Sequence, residues 1–507
     1  MKKILVFLAA SVLMIGNAFA EIAWNGQTET AWTEGDGTSE SPYIISSPAN
    51  LAYLATQVNA GNSYSGKYFR QTEDFNMGYK VWTSIGGSSA ATPAPTPAPT
   101  PFEGIYDGNS RYIRNLDNNH LFGLINNATI KDLTLQADTT VLATMVNETN
   151  GRCSINYCYN KGSKESKDCV CGGLVNTAKG ESLTLIWCNN EGSISADCSG
   201  DTYYPYPAAG GLVGLSYAQE LNIIRCNNTG DMSGSSLINA IGGLVGGVIE
   251  GVLSISECGS IGYIWGDLSG SNLGYEMGFG HLVGLVGDSA SATILSSYAK
   301  GASYNYLVGE CRGSVFAKGC YVIDDTPLGE STYFIPKAST YNCYYVNIVN
   351  IGSSDWESNF SWGPYSSYCF HSCTVDIKLG TYVSTGEIKS QAFLSRINGD
   401  EELFAMDLDN LNNGYPILKW QEGTRYAITA TCDATRGTVK GGGEYGYGNE
   451  VKLTATPKSG CSFIGWSDGN TDNPRYVTVE GEATYIAQFT KSTYTIYVNQ
   501  DCSSYIE

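Results

Sequence analysis

The apolar residues of this chain fall into short recurring words. "CGGLVNT" around Leu174, "AGGLVGL" around Leu212, "IGGLVGG" around Leu244 and "GHLVGLV" around Leu282 share one pattern, with weaker copies at Leu121 and Leu307. A second word begins at Cys158 ("CYNKG"), Cys188 ("CNNEG"), Cys226 ("CNNTG"), Cys258 ("CGSIG") and Ser297 ("SYAKG"). Leu174 to Cys188, Leu212 to Cys226 and Leu244 to Cys258 are each 14 residues, and Leu282 to Ser297 is 15. The way back, from Cys188 to Leu212, Cys226 to Leu244 and Cys258 to Leu282, takes 24, 18 and 24. One half of each unit is fixed in length and the other is elastic. A solenoid coil has this property when two strands must stack in register while one connecting arm is free to bulge.

The segments between the words alternate with period 2. Leu183, Leu185 and Trp187 alternate with Ser182, Thr184 and Ile186, and Leu253 and Ile255 with Ser254 and Ser256. Short alternation bounded by Gly and Asn predicts β-strands. Like strands stacked about 4.8 Å apart make a parallel β-helix with ladders of equivalent residues inside. Cys158, Cys188, Cys226 and Cys258 form one such ladder, and Ser297 in the same place argues for free, buried thiols. The glycines of "NAIGGLVGGV" are not a phosphate loop, because no Lys-Ser/Thr follows and no strand-to-helix context surrounds them. They permit sharp turns and close backbone approach instead.

Two stretches read as helix. In "SSPANLAYLATQVNAGN", Ser47 caps, Pro48 takes the first helical position, Leu51, Leu54, Ala55 and Val58 make the apolar stripe, and Gly61 ends it. Such a helix would cover the open end of the solenoid, where unpaired strand edges aggregate. In "STGEIKSQAFLSRING", Ser384 and Glu387 have capping-box spacing and Gly399 is the stop, which suits the opposite cap. The tract "AATPAPTPAPTP" (90–101) predicts a solvated polyproline spacer.

Composition adds compartment and class. "MKK", an apolar core and Ala18-Phe19-Ala20 form a secretory signal peptide, so the mature chain is expected to start near Glu21 and to reach the cell surface or medium. That apolar run is too short for a comfortable membrane span and nothing later exceeds it, so no membrane insertion of the mature chain is expected. The chain has 29 basic against 49 acidic residues, a formal charge of −20, which disfavours nucleic acid as a partner. With only 15% charged residues, 60 Gly and 35 Tyr, it predicts an all-β protein with many tight turns. Sixteen cysteines in an oxidising compartment allow disulfides, for which Cys153, Cys169, Cys171, Cys198, Cys311, Cys369 and Cys373, outside the ladder, are the candidates.

The GGLVG words, "FEGIYDGNSRYIRNL" (102–116) and "NNGYPILKW" (412–420) resemble GLUG-motif proteins of bacterial surfaces, and 41–77 resembles the module preceding such repeats. The similarity covers roughly 24–421 and implies a right-handed parallel β-helix with short helical caps and an adhesin-like role. Some proteins carrying the motif are immunoglobulin A1 metalloproteases, whose zinc site needs an H-E-x-x-H word. His120, His281 and His371 lie in no such word, so the likeness is to the repeat region alone. Residues 425–489 resemble the internalin-type bacterial repeat, which implies a small β-grasp-like or related module without catalysis. There "FIGWSDG" carries the aromatic core, and a bridge between Cys432 and Cys461 is open. The expected organisation is signal peptide 1–20, capping module 21–89, linker 90–101, β-helix 102–350, solenoid cap 351–421, repeat module 422–490, and from 491 to 507 the start of a further, truncated copy.

Catalytic chemistry is thinly supported. Polysaccharide-cleaving β-helices need clustered carboxylates with a base or calcium, whereas Asp324-Asp325 and Glu401-Glu402 are neighbours that a strand points to opposite faces. "CFHSC" (369–373) lacks the second ligand pair of a zinc site, and "YDGNS" (106–110) is explained by turn formation. The expectation is a non-enzymatic adhesin-like or scaffold protein without metal or cofactor. Its rivals are a carbohydrate-active enzyme and a purely structural stalk. The elastic arms are the place for contacts, since loops on a rigid scaffold carry them. Tyr203, Tyr204 and Tyr206 on one arm, with Tyr263, Trp265 and Tyr275 two coils away, are the candidate platform, emerging on one side for an extracellular glycan or a host or matrix protein.

Overall fold

The computed structural model of the protein describes residues 23–491 apart from 88–98, 117–119, 138–143, 167–168, 199–205, 236–237, 239, 267–277, 302–306, 325–337, 342–343, 348–380, 409, 424 and 447–448. The expected signal peptide, most of the Pro/Thr tract, "CFHSC" and the expected further repeat copy lie outside the described residues. The chain divides into two compact units, 1–385 and 386–507. The segment expected to cap the solenoid, 351–421, straddles that boundary.

The first unit is a parallel β-helix. One wall stacks Val146–Asn150, Val175–Ala178, Val213–Ser216 and the start of Val245–Ser256 in parallel. The next stacks Arg152–Asn156, Ser182–Ile186, Glu220–Ile224 and the end of Val245–Ser256. Register places Leu183, Leu221 and Leu253 in one column and Leu185, Ile223 and Ile255 in another, all fully buried. Alternation therefore aims these residues inward and Thr184, Asn222 and Ser254 outward.

The fixed half of the coil is a set of ladders. Leu174, Leu212 and Leu244 each donate their backbone N–H to the leucine carbonyl one coil on, at 3.0, 2.9 and 2.9 Å. The glycine before each leucine is required by contact. A Cβ on Gly211 would sit 2.1 Å from the carbonyl oxygen of Gly243. The extra residue between Leu282 and Ser297 is a β-bulge, at which Ile249 faces both Gly287 and Asp288.

The ladder cysteines are free and buried. The N–H of Cys188 donates to the Cys226 thiol at 3.3 Å, that of Cys226 to the Cys258 thiol at 3.5 Å, and that of Cys258 to Ser297 Oγ at 3.1 Å. Serine thus fills the thiol's place by accepting the same bond. Burial pushes the Cys158 and Cys226 thiols well above the usual range, which keeps them neutral. Two residues further on, a buried column of Asn160, Asn190 and Asn228 forms side-chain bonds of 3.0 and 2.7 Å between coils.

The elastic half is not a plain loop, and here the expected arm is corrected. Lys164–Ser166, Ile194–Ala196, Met232–Gly234 and Ile264–Gly266 stack into a four-stranded parallel sheet. Val170–Gly172, Ala208–Gly210, Ala240–Gly242 and Gly278–Gly280 stack into a second. Cys171, Ile194, Ala209, Met232, Ile241 and Ile264 fill the space between them. On the second sheet's other face, Val170, Ala208 and Ala240 meet Leu215 and Leu285 of the first wall. The arms together form a flap lying on the body. The stretches between its strands, 197–207, 235–239 and 267–277, account for all of the length difference between long and short arms.

Of the cysteines proposed for bridges, Cys169 and Cys198 are joined, within the flap core. Cys153 and Cys171 are buried and free, and Cys432 and Cys461 are half-exposed and free. Cys153 fails to pair because it faces inward in the column of Leu183, where it acts as an apolar residue.

The helix Pro48–Asn59 forms as the pattern requires. Ser47 Oγ accepts the Asn50 N–H at 3.2 Å, and Leu51, Leu54, Ala55 and Val58 are buried in the solenoid core. The second helix is interrupted, giving Thr385–Ile388 and Gln391–Asn398. Ser390, in an extended conformation, caps the latter by accepting the Phe393 N–H at 3.1 Å, and Gly399 ends it with φ 57°. "YDGNS", expected as a turn, lies inside the strand Ile105–Arg114 at an irregularity in its register, where Asn109 and Ser110 have positive φ and Asp107 accepts the Asn109 N–H at 2.9 Å. In the second unit, residues 425–491 form a four-stranded and a three-stranded sheet around Ile428, Leu453, Trp466, Val479 and Phe489. No helix lies among the described residues of 425–491, so of the two expected forms the related, purely β module fits this stretch.

Candidate functional site

Of the six aromatic residues named from the arms, the structure places Tyr206, Tyr263 and Trp265. Tyr203, Tyr204 and Tyr275 lie outside the described residues. Tyr263 and Trp265 flank the inward-facing Ile264, so strand alternation sends both to the outer face of the flap's outer sheet. They are 50% and 56% exposed. The Tyr263 backbone is fixed twice, donating to Asp231 Oδ1 at 2.9 Å and accepting from the Met232 N–H at 2.7 Å. Trp265 lies in register with Ser233 and Ser195, whose small side chains leave a low platform beside the indole.

Tyr206 goes elsewhere. It packs, partly buried, against the seam of Val170, Ala208, Leu215, Ala240 and Leu285 between flap and body. Both layers of the flap therefore stand between it and Trp265, and among the described candidates Tyr263 and Trp265 share a face while Tyr206 does not.

A second exposed strip was missed. Each ladder cysteine follows a residue with positive φ: Tyr157 (55°), Trp187 (57°), Arg225 (53°) and Glu257 (52°). Trp187 was expected to continue its strand; the left-handed conformation turns it out at the corner instead. Side chains stack there along the solenoid. The Tyr157 and Trp187 rings are 6.3 Å apart and 9° from parallel, the Arg225 guanidinium lies 5.5 Å from the Trp187 ring, and Arg225 pairs with Glu257 at 3.0 Å. Its sequence signal was the residue before each cysteine, which has no shared chemistry until the corner conformation is known.

Among the described residues no three His, Cys, Asp or Glu side chains gather to hold a metal ion. Burial holds His281 down to about 4, and burial with the nearby Lys164 charge holds His120 down to about 3, so both are neutral near pH 7. No helix among the described residues is long and apolar enough to cross a membrane.

Comparison with known proteins agrees with this division. Residues 426–493 match the divergent InlB B-repeat domain family. Among curated proteins none matches this chain. A solved structure from Bacteroides ovatus, provisionally named an immunoglobulin A1 protease, is similar over 77% of this chain and 96% of its own, at 17% identity and a TM-score of 0.38. That likeness is too distant to carry a functional argument. A repeat-built β-helix joined to a segment similar to a bacterial surface-repeat domain fits a surface or scaffold protein.

Proposed function

We propose that this is an exported, non-enzymatic adhesin-like protein whose β-helix holds an aromatic contact face for an extracellular glycan or host-surface protein. The observation that carries the reading is the pair Tyr263 and Trp265, half-exposed and side by side on a sheet with its own packed core. Aromatic rings with fixed backbones lose little conformational freedom on binding, and exposed tryptophan and tyrosine supply much of the energy of such contacts. A glycan array together with a panel of host matrix proteins tests it. The full chain is expected to bind at least one member, and Tyr263→Ala with Trp265→Ala to weaken that binding by roughly tenfold or more. Absence of binding across both panels would overturn it. Incubation with acidic polysaccharides is the second arm: new reducing ends or unsaturated products would replace the binding reading with an enzymatic one.

A further inference from the structure

Beyond the flap's outer face, we propose a second, smaller site for a single neutral or amino sugar residue, set where the seam between flap and body opens. A cavity of about 190 Å³ is lined there by Tyr206, Glu250, Asp288, Ser289 and Arg312 over a floor of Ile249 and Leu285. Three features of the coil create it. The β-bulge opposite Ile249 inserts Asp288 into the wall, and bulges are a common means of re-aiming side chains beside a site. The described strands of the flap's inner sheet stop at Gly278–Gly280, while the body wall continues with Val308–Cys311. The outward column Leu215, Gly247, Leu285 then ends in Glu310. Apolar residues line the closed part of the seam, and charged residues its mouth.

The lining specifies the ligand class. Ile249, Leu285 and the Tyr206 ring offer an apolar surface, and Glu250, Asp288, Ser289 and Arg312 offer acceptors and donors around it. An apolar bed with convergent polar groups is how a pyranose ring is held, one face on carbon and the hydroxyl edge on charged hydrogen-bonding groups. The volume lies below the roughly 300–1,000 Å³ of sites for drug-sized ligands, which favours one ring over an extended chain. Charge sets the sign of the preference. Arg312 is paired with Glu310 and also lies in the field of Asp288. Glu250 and Asp288 thus leave the mouth net negative, so a uronic acid or sulfated sugar is repelled while a neutral or cationic one is accepted.

The test uses the full chain and ligand-observed saturation-transfer NMR with the methyl glycosides of glucose, galactose, N-acetylglucosamine, glucosamine and glucuronic acid. At least one neutral or amino glycoside is expected to bind, and the glucuronide at least about tenfold more weakly. Glu250→Gln with Asp288→Asn, both exposed and isosteric, is expected to cost about tenfold for the preferred sugar and to narrow the gap to the glucuronide. Trp265→Ala is expected to leave this signal intact. Binding of no glycoside, equal binding of the glucuronide, or an unchanged affinity in the double variant would overturn the site. A signal lost in Trp265→Ala would place the sugar on the flap's outer face, leaving the proposal of the previous subsection standing and this one refuted.

Discussion

The body and the flap belong to the same coils, yet they solve the stacking problem differently. In the body three coils repeat one length between leucine and cysteine and a fourth adds a single bulged residue, and neighbouring backbones meet at glycines with no room for a Cβ. In the flap only three residues per strand stack, the core is thinner, and six residues can be added at a tip without disturbing either sheet. Constant length marks the segments whose atoms touch the next coil. Variable length marks the stretches between the stacked strands, and that is where a solenoid can carry contacts without losing register.

The contrast can be broken at its tightest point. Gly211→Ala is expected to lower stability by about 3 kcal/mol or more, because the new methyl meets the Gly243 carbonyl and the side chain of Asn228, both fixed by the stack. Ser195→Ala, on the flap's exposed face, should stay within about 0.5 kcal/mol. Chemical denaturation of the two variants checks both, and equal losses would remove the distinction.

Acid sharpens the same comparison. His281 stands in "GHLVGLV" where three other coils have the second glycine, and its ring is fully buried with both nitrogens unpartnered. Its folded-state value of about 4 lies below the ordinary 6.5, so the unfolded chain takes up a proton that the folded chain refuses. The neutral ring's advantage is present in full above pH 6.5 and is lost as pH falls from there to about 4, by up to roughly 3 kcal/mol. His281→Gly, which restores the repeat's own residue, should flatten the stability curve over that window by about one proton. An unchanged slope would show that the ring is hydrated and not sealed in the body.

Much of the body was legible in the sequence because its period is enforced by contact. The equal Leu-to-Cys distances, the Leu183–Leu185 alternation and Ser297 in a cysteine's place each gave the structure's own answer. The asparagine column was visible too, in the third letter of "CYNKG", "CNNEG" and "CNNTG", although its pairing depends on an inter-coil distance that no single repeat reveals. The flap was read as loop because its strands have only three residues, too short for alternation to register. Trp187 was misplaced since the sequence carries no mark of a left-handed residue other than glycine or asparagine. Tyr206 and Trp265, both on arms and both aromatic, differ only in which sheet face they meet, and a sequence carries no mark of that difference.

The central claim is that a rigid, ladder-locked body carries a separately packed flap with the contact face on it. Native-state hydrogen exchange tests this most directly. The amides of Leu174, Leu212 and Leu244 should exchange only through global unfolding, while those of 232–234 and 264–266 exchange at least about tenfold faster through opening of the flap alone. Equal protection in the two sets would contradict it, making flap and body a single cooperative unit.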